Sequence, residues 1–123
     1  MYTAYVLSET DRTRLSLVFP PKYEKFIGHH ITTEFGVDKN AELPKEDAFI
    51  TVVGFADNND GLEALIVSVD GATKRDCGKT YHITWSLDPE RFKPVDSNQL
   101  IESGKFTLIR GFVRIYPTPD LLY

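Results

Sequence analysis

Over much of the chain apolar and polar residues alternate with a period of two, the repeat of a strand that buries one face. Thr3 to Leu7 (TAYVL) is β-branched and aromatic and predicts a first strand; SETDRTRLSLVF then opens on a serine cap and an acidic first turn, which predicts a short helix stopped by Pro20-Pro21. A basic and aromatic connector, PPKYEKFIG, leads to HHITTEFG, an alternating segment ending at Gly36. Asp38 to Asp47 is polar, contains Pro44 and reads as a loop. Ala48 to Ala56 (AFITVVGFA) and Leu62 to Val69 (LEALIVSV), joined by DNNDG, predict a hairpin. The polar loop DGATKRDCGK precedes a further alternating strand, TYHITWSL, closed by Asp88-Pro89. In VDSNQLIESGK, Asp96 or Ser97 caps a short helix that Gly104 ends, and FTLIRGFVRIYP is a last strand bulged at Gly111. The tail YPTPDLLY reads as a subunit contact or a pocket lid. This succession predicts an α+β fold dominated by an antiparallel or mixed sheet.

Composition narrows the picture. A chain of 123 residues, 41% of them hydrophobic, can bury a core, and no linker rich in Gly, Ser or Pro divides it, so one domain over residues 1–123 is expected. No apolar run reaches the ~20 residues of a membrane span, and MYTAYVLSETDR lacks the basic start and apolar core of a signal peptide, so a cytoplasmic protein without a membrane partner is expected. One cysteine and three histidines permit neither an internal disulfide nor the paired ligands of structural zinc, and no metal or cofactor is expected. Cys77, between Asp76 and Gly78, reads as a loop residue with no base beside it. Asp and Glu outnumber Lys and Arg by 18 to 14. That balance disfavours long nucleic acid as a partner and leaves a small anionic ligand in a local pocket.

The chemistry-bearing feature is a repeat. His30-Ile31-Thr32-Thr33 and His82-Ile83-Thr84-Trp85 each place a histidine and a threonine two residues apart in a predicted strand, so both point to one face while the isoleucine points to the other. Thr80, His82, Thr84 and Ser86 make a polar face opposite Tyr81, Ile83, Trp85 and Leu87; His30, Thr32 and Glu34 likewise oppose Ile31, Thr33 and Phe35. The plain alternative is a sheet with one wet face whose His and Thr have no function.

The duplicated His-x-Thr pattern resembles the 2H phosphoesterase superfamily, and the order of elements follows it in outline over most of the chain. The resemblance implies a compact two-lobed fold, with antiparallel or mixed sheets around a central cleft and short helices outside. By position it implies His30 and His82 as the catalytic pair and Thr32 and Thr84 as the pair that holds phosphate. The chain is shorter than typical members, which implies trimmed helices or cleft-covering loops. Histidine titrates near neutral pH, so one imidazole can act as base while the other acts as acid, and two threonine hydroxyls can donate to the nonbridging oxygens.

Among the substrates of that family, the run from TAYVLSETDRTRL through FPP to HHITTEFG is similar to phage enzymes that destroy the cyclic oligonucleotide signals of bacterial CBASS immunity. That likeness implies a metal-independent phosphodiesterase cleaving the 3'-5' bonds of a small cyclic oligonucleotide, working in the host-cell cytoplasm. A 2',3'-cyclic phosphodiesterase acting on RNA ends or nucleotides is one alternative, and a non-catalytic cyclic nucleotide sponge is another. Candidate substrate contacts are Tyr5, as a base stacker or a core residue, Glu34, as a partner of a histidine or an exposed carboxylate, and Arg114, as an anion contact. His29 should face away from His30, Trp85 should be core, and Lys22, Lys25 and Arg110 read as solvated cations.

Overall fold

In a computed structural model that describes all 123 residues, the alternating segments pair into two antiparallel sheets. The smaller has the order β3-β1-β8, formed by β1 (Tyr2–Val6), β3 (His30–Phe35) and β8 (Thr118–Leu122). The larger has the order β2-β6-β5-β4-β7, formed by β2 (Lys25–Phe26), β4 (Ile50–Asp57), β5 (Leu62–Val69), β6 (His82–Leu87) and β7 (Phe106–Ile115). Two short helices complete the α+β fold, α1 (Glu9–Val18) and α2 (Ser97–Glu102). No helix is long and apolar enough to cross a membrane.

The helices begin and dock where the sequence supplies partners. Ser8 caps α1, its hydroxyl accepting from the Asp11 amide at 3.1 Å. Asp11 is itself buried; its carboxylate accepts from the Tyr116 amide at 2.6 Å and pairs with Arg14 at 2.8 Å, which ties α1 to the end of β7. A 3-10 turn at Pro94–Asp96 feeds α2, and Gly104, at φ +76°, follows its end.

The main core joins the two sheets. Tyr5 and Ile31 of the smaller sheet meet Val52, Leu65, Ile83, Trp85 and Ile115 of the larger, with Leu15 of α1 closing the cluster. On the other face of the larger sheet, Ala64 and Ile66 pack on Ile101, and Leu62 and Leu87 on Leu100, both from α2. Trp85 is fully buried and its indole N–H donates to the Phe19 carbonyl at 2.8 Å, so it is core, as its place opposite His82 and Thr84 predicts.

The hairpin, both helices and the bulge in β7 are where the pattern puts them: Gly111 has φ +74°, and the ladder to β4 jumps from Val52↔Val113 to Gly54↔Leu108. Two strands go beyond the pattern. β2 has only two residues, too few to alternate, and β8 carries Pro119, which is tolerated because β8 is an edge strand bonded to β1 alone. The tail is therefore a sheet strand, with Thr118 opposite Val6 and Leu122 opposite Tyr2, and does not fold over the pocket as a lid.

Candidate active site

The site is built where the chain changes sheets. β2 pairs with β6 through Lys25↔Leu87 and Phe26↔Ser86, and the pairing continues as Ile27 N–H donates to Trp85 at 2.8 Å and Gly28 N–H to Thr84 at 3.1 Å. The next residue belongs to the other sheet: the His29 carbonyl accepts from Leu7 at 2.9 Å, and His30 lies opposite Val6. Gly28 makes the turn at φ +49°, and a Cβ there would stand 2.7 Å from the Phe26 ring and 3.0 Å from the Trp85 ring. Arg12 of α1 donates to the carbonyls of Phe26 at 3.0 Å and Ile27 at 3.2 Å, with its guanidinium 3.8 Å from the Phe26 ring centre. β3 thus starts beside Thr84, and the two His-x-Thr segments become neighbours.

Both segments turn their isoleucine into the common core and their histidine and threonine into one cavity of about 490 Å³. His30, Thr32, His82 and Thr84 all line it. His82 Nδ1 lies 3.0 Å from the Thr80 carbonyl, which can only accept, so Nδ1 carries the proton and Nε2 of the neutral ring is an acceptor. His30 Nδ1 lies 3.0 Å from His29 Nδ1. The Thr84 hydroxyl donates to the Pro94 carbonyl at 3.1 Å and stands 2.9 Å from the hydroxyl of fully buried Ser97. If Thr84 turns its proton toward a ligand, Ser97 can donate to the oxygen left behind.

Burial, and then the charges of His29 and His82, push the His30 imidazole down to about 4. His82 is also lowered, by burial foremost; the Thr80 carbonyl opposes this by favouring the charged ring, while Arg75 and Lys79 lower it further. At neutral pH both imidazoles are therefore uncharged. A bound phosphate anion favours the protonated form of either.

The cavity also gathers residues that the strand pattern does not single out. His29 lines it, because the crossover at Gly28 breaks the alternation that would have turned it away from His30. Tyr2 and Phe35 stack at its rim with ring centres 5.9 Å apart, and Tyr2 lies 5.3 Å from the His30 ring. Arg75 and Lys79 reach it from the loop between β5 and β6. Alternation along β1 could have found Tyr2, since Tyr5 in the core leaves Tyr2 on the other face. No periodic signal marks Arg75, which lies in an irregular loop.

Three candidate contacts lie elsewhere. Tyr5 is buried in the core and its hydroxyl donates to the Lys45 carbonyl at 2.6 Å, so it presents no ring to the cavity. Glu34 is turned aside by a bulge: Thr3 faces Glu34 but Ala4 faces Thr32, leaving Thr33 as the extra residue and Glu34 in a neighbouring cavity. Arg114 packs on Phe49 and Tyr116, beside a separate cleft lined by Glu46 and Asp47. Lys22 is held by Asp57 at 2.8 Å, outside the cavity.

No family model, curated protein or solved structure matches this chain.

Gly28→Ala is expected to lower stability by about 1–3 kcal/mol, through positive φ and overpacking against two rings, as read by denaturant unfolding. An unchanged midpoint would contradict the close crossover. Proton NMR titration is expected to give His30 a pKa of about 4 and His82 one below the ordinary 6.5, with Arg75→Gln raising His82. Ordinary titration of both rings would contradict a shared, desolvated cavity.

Proposed function

We propose that this chain is a phosphodiesterase of the 2H phosphoesterase type, acting on the 3'-5' bonds of a small cyclic oligonucleotide. One observation carries the reading: two strands from two different sheets each bring a histidine and a threonine to the same cavity, while their isoleucines share one core. A merely wet sheet face would have no reason to pair with a matching segment of a second sheet.

The environments of the imidazoles divide the labour. His30, surrounded by groups that oppose its protonation, is the general base and takes the proton of the ribose 2'-hydroxyl. The 2'-oxygen forms a bond to phosphorus, the bond from phosphorus to the 5'-oxygen breaks, and protonated His82 gives its proton to that oxygen. Thr80 favours this role, since its carbonyl stabilises the imidazolium while the bound phosphate supplies a negative charge. The products are a 2',3'-cyclic phosphate end and a 5'-hydroxyl. Thr32 and Thr84 donate to the nonbridging oxygens, where charge accumulates. Tyr2 and Phe35 offer stacking surface for a base; Phe35 is 76% exposed although wholly apolar. The net charge of -4 favours a small diffusible nucleotide over long RNA.

The test is incubation with cyclic di- and trinucleotides and 2',3'-cyclic mononucleotides in EDTA, with products followed by chromatography. Turnover of a cyclic oligonucleotide is expected, falling by at least ~100-fold in His30→Ala and in His82→Ala. In the free enzyme, kcat/KM is expected to rise near pH 4 as His30 loses its proton and to fall on the acid side of 6.5 as His82 loses its own. Binding without turnover would favour a sponge, cleavage confined to 2',3'-cyclic ends would favour RNA-end processing, and loss of activity in EDTA would overturn proton transfer by the two imidazoles alone.

A further inference from the structure

The catalytic cavity does not end at the histidines. A second cavity of about 600 Å³ adjoins it, and Phe35, Arg75 and Lys79 line both. Arg75 is the informative residue. It is only 8% exposed, yet no carboxylate lies within ion-pair distance and its guanidinium donates to no protein acceptor. Its side-chain nitrogens are not sealed in the protein, since Arg114 Nε alone is buried without a partner; they face the two cavities with no protein acceptor, where an anion can take their hydrogen bonds. The loop holds it in place: the Arg75 amide donates to Lys79 at 2.7 Å, Gly78 donates back to Arg75 at 2.8 Å, and Lys74 bridges Thr80.

The two cavities differ in character. Between the imidazoles there is one reacting phosphorus, with the threonine hydroxyls to hold its oxygens. Beyond Arg75 and Lys79 the walls carry Glu34, Glu42 and Asp76 with Tyr81. Carboxylates repel phosphate but accept from N–H groups, which a nucleobase edge supplies. Phosphate, cation boundary and base-accepting wall follow one another in the order of a nucleotide unit.

We propose that Arg75 and Lys79 bind a second phosphate of the substrate and that the cavity beyond them seats the base of the adjoining nucleotide. The proposal rests on the reading of the histidine cavity as a phosphodiester site, and it specifies a substrate of at least two nucleotide units. The acidic wall selects a base with adjacent N–H donors. Guanine, with N1–H and N2–H2 side by side, fits; uracil, whose one N–H is flanked by carbonyls, does not.

Cys77 provides the test, because it is the protein's one thiol, is exposed and lines the second cavity. Its maleimide labelling rate would be followed in the wild-type protein with a cleavage-resistant phosphorothioate cyclic di-guanylate, with the uridine analogue, and with guanosine 3'-monophosphate. The guanine dinucleotide is expected to slow labelling at least ~5-fold, and the mononucleotide to leave it unchanged. Arg75→Gln is expected to weaken dinucleotide binding roughly 10- to 100-fold and mononucleotide binding far less, with Arg75→Lys recovering part of the loss. Glu34→Gln and Glu42→Gln should narrow the preference for guanine over uracil and leave Arg75 in place. Equal affinity for mono- and dinucleotide with Cys77 unprotected would overturn the proposal. Cleavage of oligonucleotides without Cys77 protection would overturn it while leaving the phosphodiesterase reading standing. Protection without cleavage by the wild-type protein would uphold the second subsite and overturn the reaction.

Discussion

The crossover at Gly28 is the constraint from which the site follows. Ile27 and Gly28 are bonded to β6, while His29 accepts from Leu7 just past β1 and His30 pairs with Val6 of β1, so two adjacent dipeptides clamp one sheet to the other. The clamp is close because a residue without a side chain lies against the rings of Phe26 and Trp85. It is also supported from outside, where Arg12 satisfies the carbonyls that the departing strand leaves without ladder partners. Two histidines contributed by two sheets share one cavity only if the spacing between the sheets is fixed, and here it is set by covalent chain and backbone hydrogen bonds within a few residues of both.

Electrostatics complete what the geometry begins. The chain as a whole is acidic, yet Arg75 and Lys79 bring positive charge to the edge of the cavity. Burial first, and then these two charges, hold His82 below its ordinary pKa, a shift that a phosphate bound as proposed would oppose. Burial keeps both imidazoles neutral at neutral pH, so in the proposed reaction the phosphate of the substrate would itself create the condition under which one ring is an acid. The threonines differ in their surroundings: Thr32 lines the cavity, whereas the Thr84 hydroxyl there donates to the Pro94 carbonyl beside the hydroxyl of Ser97.

How much of this was legible from residues alone depends on whether a residue obeys a period. Alternation put His30 with Thr32 and His82 with Thr84 on one face of each strand and sent Ile31, Ile83 and Trp85 to the core; the meeting of the two strands was implied by the duplicated motif, and both helices were legible from their caps and stops. It failed where the strand period breaks. The bulge at Thr33 moved Glu34 to the neighbouring cavity, and the crossover brought His29 into the site. Tyr5 proved to be core and Tyr2 the cavity aromatic, because an aromatic residue on a strand does not say by itself which sheet face covers the core. Arg75 and Lys79 lie in an irregular loop whose path is set by backbone bonds that no short-range pattern encodes. The strand β8 joins β1 from the far end of the chain, a long-range pairing that its proline conceals.

The most direct measurement is a crystal structure of the protein with guanosine and vanadate, which together mimic the five-coordinate phosphorus of the transferring group. If the two His-x-Thr segments form one catalytic site, vanadium will sit between the imidazoles, with His30 toward the ribose 2'-oxygen, His82 toward the opposite apical oxygen, and the hydroxyls of Thr32 and Thr84 on the equatorial oxygens. Vanadate bound outside this cavity, or touching one imidazole while the other faces away, would contradict it.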